Sequence, residues 1–142
     1  AYTITDSERA ALNELFWAGY ADEDATAAAI ADVFDEYEYV VDPHTAVAAA
    51  VYEQYKEETG DETPTVIVST ASPFKFPKSV LTALGERVPD DDFKAVYRLE
   101  DVSAMPAPES FVALERMEKR FTDIIDKQDI GDYVRTLYGK KD

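Results

Sequence analysis

Thr65-Val66-Ile67-Val68, followed without a break by Ser69-Thr70-Ala71-Ser72-Pro73-Phe74-Lys75-Phe76-Pro77, is the stretch on which the fold reading turns. Four consecutive β-branched residues with no polar alternation are the pattern of a strand covered on both faces, as in a parallel sheet. A hydroxyl-rich loop beyond the carboxyl end of such a strand is where open α/β folds place ligands. The expectation is therefore a buried strand inside a small, mostly parallel sheet, with the loop from Ser69 to Phe76 opening onto a concave surface. A solvent-exposed edge or a helix at Val66 to Val68, or a loop from Ser69 to Phe76 sealed in a core without a groove, would instead count against a pocket wall and favour an interaction module.

Upstream, the chain reads as helices. Thr5-Asp6-Ser7-Glu8 has the form of a capping box, with apolar positions at Leu12, Leu15 and Phe16 and an expected stop at Gly19. Asp22-Glu23-Asp24 puts negative charge at the next helix start, and Ile30, Val33, Phe34 and Tyr37 give it one buried face. These two segments are expected to form a helical pair. Asp42-Pro43 is a third start signal, since aspartate caps and proline suits the first helical position. The alanine-rich helix that follows, stopped by Gly60, is expected to be central.

Downstream, Ser79 to Leu84 reads as a short helix closed by Gly85. Asp90-Asp91-Asp92 caps a helix carrying Phe93, Val96, Tyr97 and Leu99. Pro106-Ala107-Pro108 links to Phe111 through Leu114. Arg120 to Asp126 reads as an edge strand before a last helix from Ile130 to Tyr138. One firm strand and two or three weak ones, against some six helical segments, leave the firm strand short of partners, which suggests a piece of a larger α/β enzyme.

Composition excludes several classes. With 142 residues and 46% hydrophobic content the chain can bury a core. A formal charge of -16 repels phosphates and anionic lipid, so neither nucleic acid nor membrane is an expected partner. The absence of cysteine excludes thiolate chemistry and disulfides, and a single histidine excludes a two-histidine zinc site. No apolar run approaches a membrane span, and no secretory signal opens the chain, so the expected location is cytoplasmic. The start at Ala1-Tyr2 without methionine is the kind left by trimming or truncation.

Several residues are candidates for chemistry, each with a plainer alternative. Ser69 and Thr70 read as hydroxyls for a phosphate or a ring, or as a turn. His44, beside Thr45 at a helix start, reads as a general base, a ligand contact or a structural histidine. Lys75, between Phe74 and Phe76, reads as an anion receptor or as the partner of one of many carboxylates. Trp17 and Tyr20 read as packing residues. The acidic runs lack the alternate spacing of a calcium loop and read as helix starts; no metal site is expected.

Three segments together resemble threonine synthase of the longer type found in bacteria and yeast: Leu15-Phe16-Trp17-Ala18-Gly19-Tyr20-Ala21-Asp22, Val41-Asp42-Pro43-His44-Thr45-Ala46-Val47-Ala48, and Val68 through Pro77. The similarity is clearest from Thr5 to Leu84 and weaker beyond, where Met105 to Pro108 and Phe121 to Asp126 still fit. It implies the carboxy-terminal part of a pyridoxal-phosphate lyase of the tryptophan-synthase-β-like class, with a helix-rich share of its three-layer α/β fold. The whole chain is expected to be one domain, with residues 1–88 a pocket wall and 89–142 a tail. The implied reaction converts O-phospho-L-homoserine and water to L-threonine and phosphate.

The resemblance carries particular roles. Thr70 is the first choice for a hydroxyl facing the cofactor ring nitrogen and Ser69 the second. His44 and Thr45 would line the substrate site at a helix start, and Lys75 would receive the substrate phosphate. The family's cofactor lysine and phosphate loop have no counterpart in these residues. The chain alone is therefore expected to be inactive, with no catalytic residue of its own, and to need the amino-terminal part of the same enzyme. Self-association through Phe74 and Phe76 is a further expectation. The readings that compete are a free-standing acidic α/β interaction module and a related pyridoxal-phosphate lyase with another substrate.

Overall fold

The computed structural model describes residues 3–139; Ala1-Tyr2, on which the trimming expectation rests, lie outside them. The order is α1 (Asp6–Asn13), α2 (Glu23–Tyr37), α3 (Pro43–Thr59), a 3-10 turn (Pro73–Lys75), α4 (Pro77–Ala83), α5 (Asp92–Ser103), α6 (Glu109–Glu115), a second 3-10 turn (Lys127–Asp129) and α7 (Ile130–Tyr138). Among the described residues there is no strand, so the expected parallel sheet is not present. Residues 65–68 take no regular secondary structure, and Val66 and Val68 are 85% and 71% exposed. The sequence pattern described a propensity. A strand also needs a neighbour to accept its backbone hydrogen bonds, and no described segment offers one. The run lies instead along α3, where it lines a shallow depression with Trp17, Ala48, Val51 and Tyr55. The expected edge strand at 120–126 is likewise irregular, with Phe121 and Ile124 exposed.

The helix starts follow their signals. Thr5 and Glu8 close the capping box, with the Thr5 amide donating to Glu8 Oε2 at 2.7 Å. Asp22, Asp42 and Asp91 each cap a helix by accepting a backbone amide. The stops are less regular. Gly60 ends α3 at φ 67°, a conformation that glycine adopts without strain. Glu38 and Ala104 take the same left-handed position after α2 and α5.

Two expectations about helix placement are corrected. First, α1 ends at Asn13 rather than running to Gly19, and it buries no residue. Leu15 and Phe16, which were to continue its apolar stripe, are exposed. A helix of eight residues with no covered face has nothing to offset the entropy of further turns. Gly19 has a different use: an added Cβ would meet Gln54 Oε1 at 2.9 Å and the Trp17 ring at 3.0 Å. The glycine lets residues 17–20 approach α3, where Gln54 donates to the Tyr20 carbonyl and Trp17 meets Tyr55 edge-on. Tyr20 itself is largely exposed, so only Trp17 of that pair packs.

Second, α2 pairs with α3 rather than with α1, and it also packs on α4, which in turn packs on α5. Thus α2 links two layers, whereas α3 sits on one side. The core is built from Ile30 of α2, Val40 and Val41 of the α2–α3 connection, Ala46 of α3, Phe74, Val80 and Leu81 around α4, and Ala95, Val96 and Leu99 of α5. The chain entering α3 is therefore anchored. Val40 and Asp42 have almost no exposed surface, so the first turn of α3 is fixed against the core.

Candidate functional site

That first turn carries the most organised polar cluster among the described residues. Asp42 is completely buried, yet each carboxylate oxygen has partners. Oδ1 accepts from the His44 amide at 3.0 Å and lies 3.0 Å from His44 Nδ1. Oδ2 accepts from the Thr45 hydroxyl. Burial works to raise the Asp42 carboxyl, but the hydrogen bonds from Thr45 and His44 together outweigh it and hold the group below its ordinary range. The carboxylate is thus ionised at neutral pH.

This arrangement fixes the histidine. An ionised carboxylate only accepts, so Nδ1 of His44 must be the donor, and Nε2 is left for other work. The imidazole side chain is 63% exposed and leans on the Phe76 ring, with centroids 5.1 Å apart. The buried aspartate thus orients one ring nitrogen of a largely exposed imidazole and leaves the other free of that bond.

Thr45, itself buried, carries the cluster to the hydroxyl loop: its Oγ lies 3.4 Å from Ser69 Oγ, which in turn lies 3.4 Å from the Ala71 carbonyl. His44, Thr45 and Ser69 therefore belong to one connected set. Thr70 is next in sequence and exposed, without a side-chain hydrogen bond among the described residues. Lys75 is exposed on the 3-10 turn, with Nζ 6.0 Å from the Phe76 ring centroid. The Phe76 ring is thus near both Lys75 and His44. Phe74 is only 4% exposed, so it serves the core and is no surface for self-association.

The second half of the loop does open onto a concavity, a cleft of about 400 Å3 that Phe74 to Phe76 help to line. Ser69 and Thr70 are not part of its lining and face solvent. Two contributors carry little sign of a site role in the sequence. Asp42 is legible there only as a cap, although an aspartate followed at two and three residues by histidine and threonine has both within reach of one carboxylate. Phe76 has no sequence signal beyond its neighbours. No group of three or more carboxylates and histidines that could hold a metal occurs among the described residues.

The buried capping aspartate, the oriented histidine and the hydroxyl loop are the most organised polar group of the described chain, and comparison with known proteins gives the chain a family. Residues 45–134 match the family described as threonine synthase, C-terminal. Threonine synthase-like 1 of Mus musculus is 32% identical over 110 residues, which is 77% of this chain and 14% of that protein. Threonine synthase of Corynebacterium glutamicum is 35% identical over 79 residues, 56% of this chain and 16% of that protein. Threonine synthase-like 1 of Homo sapiens is 31% identical over 110 residues, again 77% and 14%. This chain belongs to the threonine synthase C-terminal family. The matched stretch spans only about one seventh of the length of these relatives.

Proposed function

We propose that this chain serves as the carboxy-terminal part of a threonine synthase, a lyase that converts O-phospho-L-homoserine and water to L-threonine and phosphate. In this reading the first turn of α3 and the loop from Ser69 to Lys75 form one wall of the site. The observation that carries it is the Asp42–His44–Thr45 cluster together with the approach of Thr45 Oγ to 3.4 Å from Ser69 Oγ, which brings two stretches 24 residues apart to one place.

Pyridoxal phosphate is the cofactor the family implies, and its ring nitrogen is an acceptor. The exposed, neutral hydroxyls of Thr70 and Ser69 suit that atom, since each can donate without bringing a charge. When bound, the cofactor supplies an electron sink for carbon–hydrogen bond cleavage. A hydroxyl, unlike a carboxylate, leaves the ring nitrogen unprotonated and tempers that sink. Thr70 is assigned the contact and Ser69, already shared with Thr45, stands second. His44 Nε2 and the Lys75 ammonium are assigned to the phosphorylated substrate: the imidazole as a donor or a proton-holding group, the lysine as a countercharge. Thr45 holds Asp42 and so positions His44. The site's other wall is assigned to the amino-terminal part of the enzyme.

The test is Thr70→Val in the full-length enzyme. Losing one partner of a buried hydrogen bond costs about 1–3 kcal/mol, so turnover is expected to fall roughly fivefold to a hundredfold, with Thr70→Ser restoring most of it. Unchanged turnover with an unchanged cofactor spectrum discards the Thr70 assignment. The 142-residue chain by itself is expected to turn over no phosphohomoserine, and any turnover there refutes the division of labour.

A second reading has its own observation. The exposure of Val66 and Val68, together with the apolar face of α7, supports an interaction module without chemistry. It predicts that partner binding survives Thr70→Val and His44→Ala and is lost when Val66 and Val68 are changed to aspartate.

A further inference from the structure

The cleft onto which the loop opens is lined by Phe76 but not by His44. Phe74, Phe76, Phe93, Val96 and Phe111 give it an apolar, largely aromatic lining of about 400 Å3, a volume typical of sites for small molecules. The lining elements are the first 3-10 turn, α4, α5 and the start of α6.

Its charges do not balance. Lys78 and Asp92 at the rim neutralise one another at 2.6 Å, and Lys78 also donates to the Asp90 carbonyl at 2.5 Å. Lys75 forms no ion pair among the described residues, even though the chain has 30 carboxylates for 14 lysines and arginines. The mouth therefore keeps one net positive charge in a protein of formal charge -16. A purely apolar ligand leaves that charge unused, and a bare phosphate leaves the aromatic lining unused.

We propose that this cleft binds a small carboxylic acid with an apolar body, the body lying between Phe93 and Phe111 and the carboxylate on Lys75. The inference goes beyond the function proposed above and competes with it at Lys75, which cannot hold the substrate phosphate and this carboxylate at once; neither turnover nor cofactor enters its test.

The experiment is a titration of the isotope-labelled 142-residue chain followed by amide NMR, with phenylacetate, benzyl alcohol, acetate and inorganic phosphate as separate probes. Phenylacetate is expected to shift the amides of Lys75, Phe93, Val96 and Phe111 in a saturable way. Benzyl alcohol, which keeps the body and loses the charge, should bind the same amides about two- to fivefold more weakly, the worth of one exposed ion pair. Acetate and phosphate should leave Phe93 and Phe111 unmoved. Lys75→Gln, at an exposed position where the fold survives, should abolish the difference between the two aromatic probes, and Lys75→Arg should keep it. Shifts that never saturate, equal affinity of the unaltered chain for the two aromatic probes, or phosphate acting on Phe93 and Phe111 would each overturn the proposal. So would binding that vanishes in a longer polypeptide carrying the upstream part of the enzyme, because the cleft would then belong to a segment of that protein.

Discussion

Helices α2 to α5 and helix α7 carry the same kind of sequence pattern and end in opposite environments. In α2, Ile30 is 2% exposed, and in α5, Leu99 is completely covered. In α7, Ile130, Val134 and Leu137 recur at spacings of four and three, yet they are 50%, 48% and 56% exposed. Helix α7 is no less amphipathic than the others. Its main packing among the described residues is with the 3-10 turn before it, whereas α2 packs on both α3 and α4. Between these extremes stands α6, tied to the core by Phe111 and to α5 by the hydrogen bond from Tyr97 to Glu115 at 2.6 Å. An apolar stripe states a requirement for cover, and whether the cover is present depends on the rest of the molecule.

The contrast is most directly broken by paired truncations. Leu99→Ala should destabilise the 142-residue chain by about 2–5 kcal/mol, the usual cost of emptying a covered leucine site. Leu137→Ala should cost under about 0.5 kcal/mol, as for an exposed position. Urea unfolding followed by circular dichroism measures both. Equal losses would mean that α7 packs in solution.

The next effect tests the anchored start of α3. Asp42→Ala removes a cap and leaves the Thr45 hydroxyl and the His44 amide without their acceptor, at a cost of about 1–3 kcal/mol. The pH dependence has a definite sign. Asp42 is held below its unfolded value of about 3.9, so its contribution is complete above about pH 4 and disappears as pH falls through the lowered folded value. Stability of Asp42→Ala measured from pH 7 downward should therefore converge on that of the parent chain in acid. A constant gap at every pH would show that the carboxylate is not the stabilising form.

Ala104→Gly is expected to act in the other direction and more weakly. Ala104 ends α5 at φ 53°, where a side chain costs about 1–2 kcal/mol, partly offset by glycine's greater freedom when unfolded. A net gain of up to about 1 kcal/mol in the same unfolding assay is the expected result, and a loss would mean that the Ala104 methyl packs usefully.

The smallest effect belongs to Asp61, just beyond Gly60. Thr63 and Tyr55 donate to its carboxylate and lower it to about 2. Asp61→Asn should lower stability slightly above about pH 4, and the deficit should shrink between about pH 4 and pH 2, where the unfolded parent chain binds a proton and the folded chain does not. A change confined to higher pH would place the titrating group elsewhere.

Capping signals are local: Thr5 with Glu8, Asp22, Asp42 and Asp91 each act within three residues, and all four are legible in the amino-acid sequence. The candidate site is partly legible for the same reason. His44 and Thr45 follow their helix start directly, whereas the approach of Thr45 to Ser69 spans 24 residues and needs the fold. The burial of Asp42 depends on core residues around it, so its role as the organiser of His44 is hidden behind its role as a cap.

The sequence alone determined where helices α1, α2, α3, α5 and α7 begin, that these residues supply no thiolate, and which short motifs resemble a known family. Those properties depend on neighbours in the chain and on side-chain chemistry. Helix α4 begins two residues earlier, at Pro77, than the Ser79 start read from the sequence. Only the tertiary structure decided that Val66 and Val68 are exposed rather than sheeted, that α2 pairs with α3 instead of α1, that Phe74 is buried while Lys75 beside it is exposed, and that Gly19 is a point of close approach instead of a helix stop. Each of these depends on which surfaces meet. Strand pairing and burial are agreements between distant segments, and a run of β-branched residues or an apolar stripe can express only one side of such an agreement.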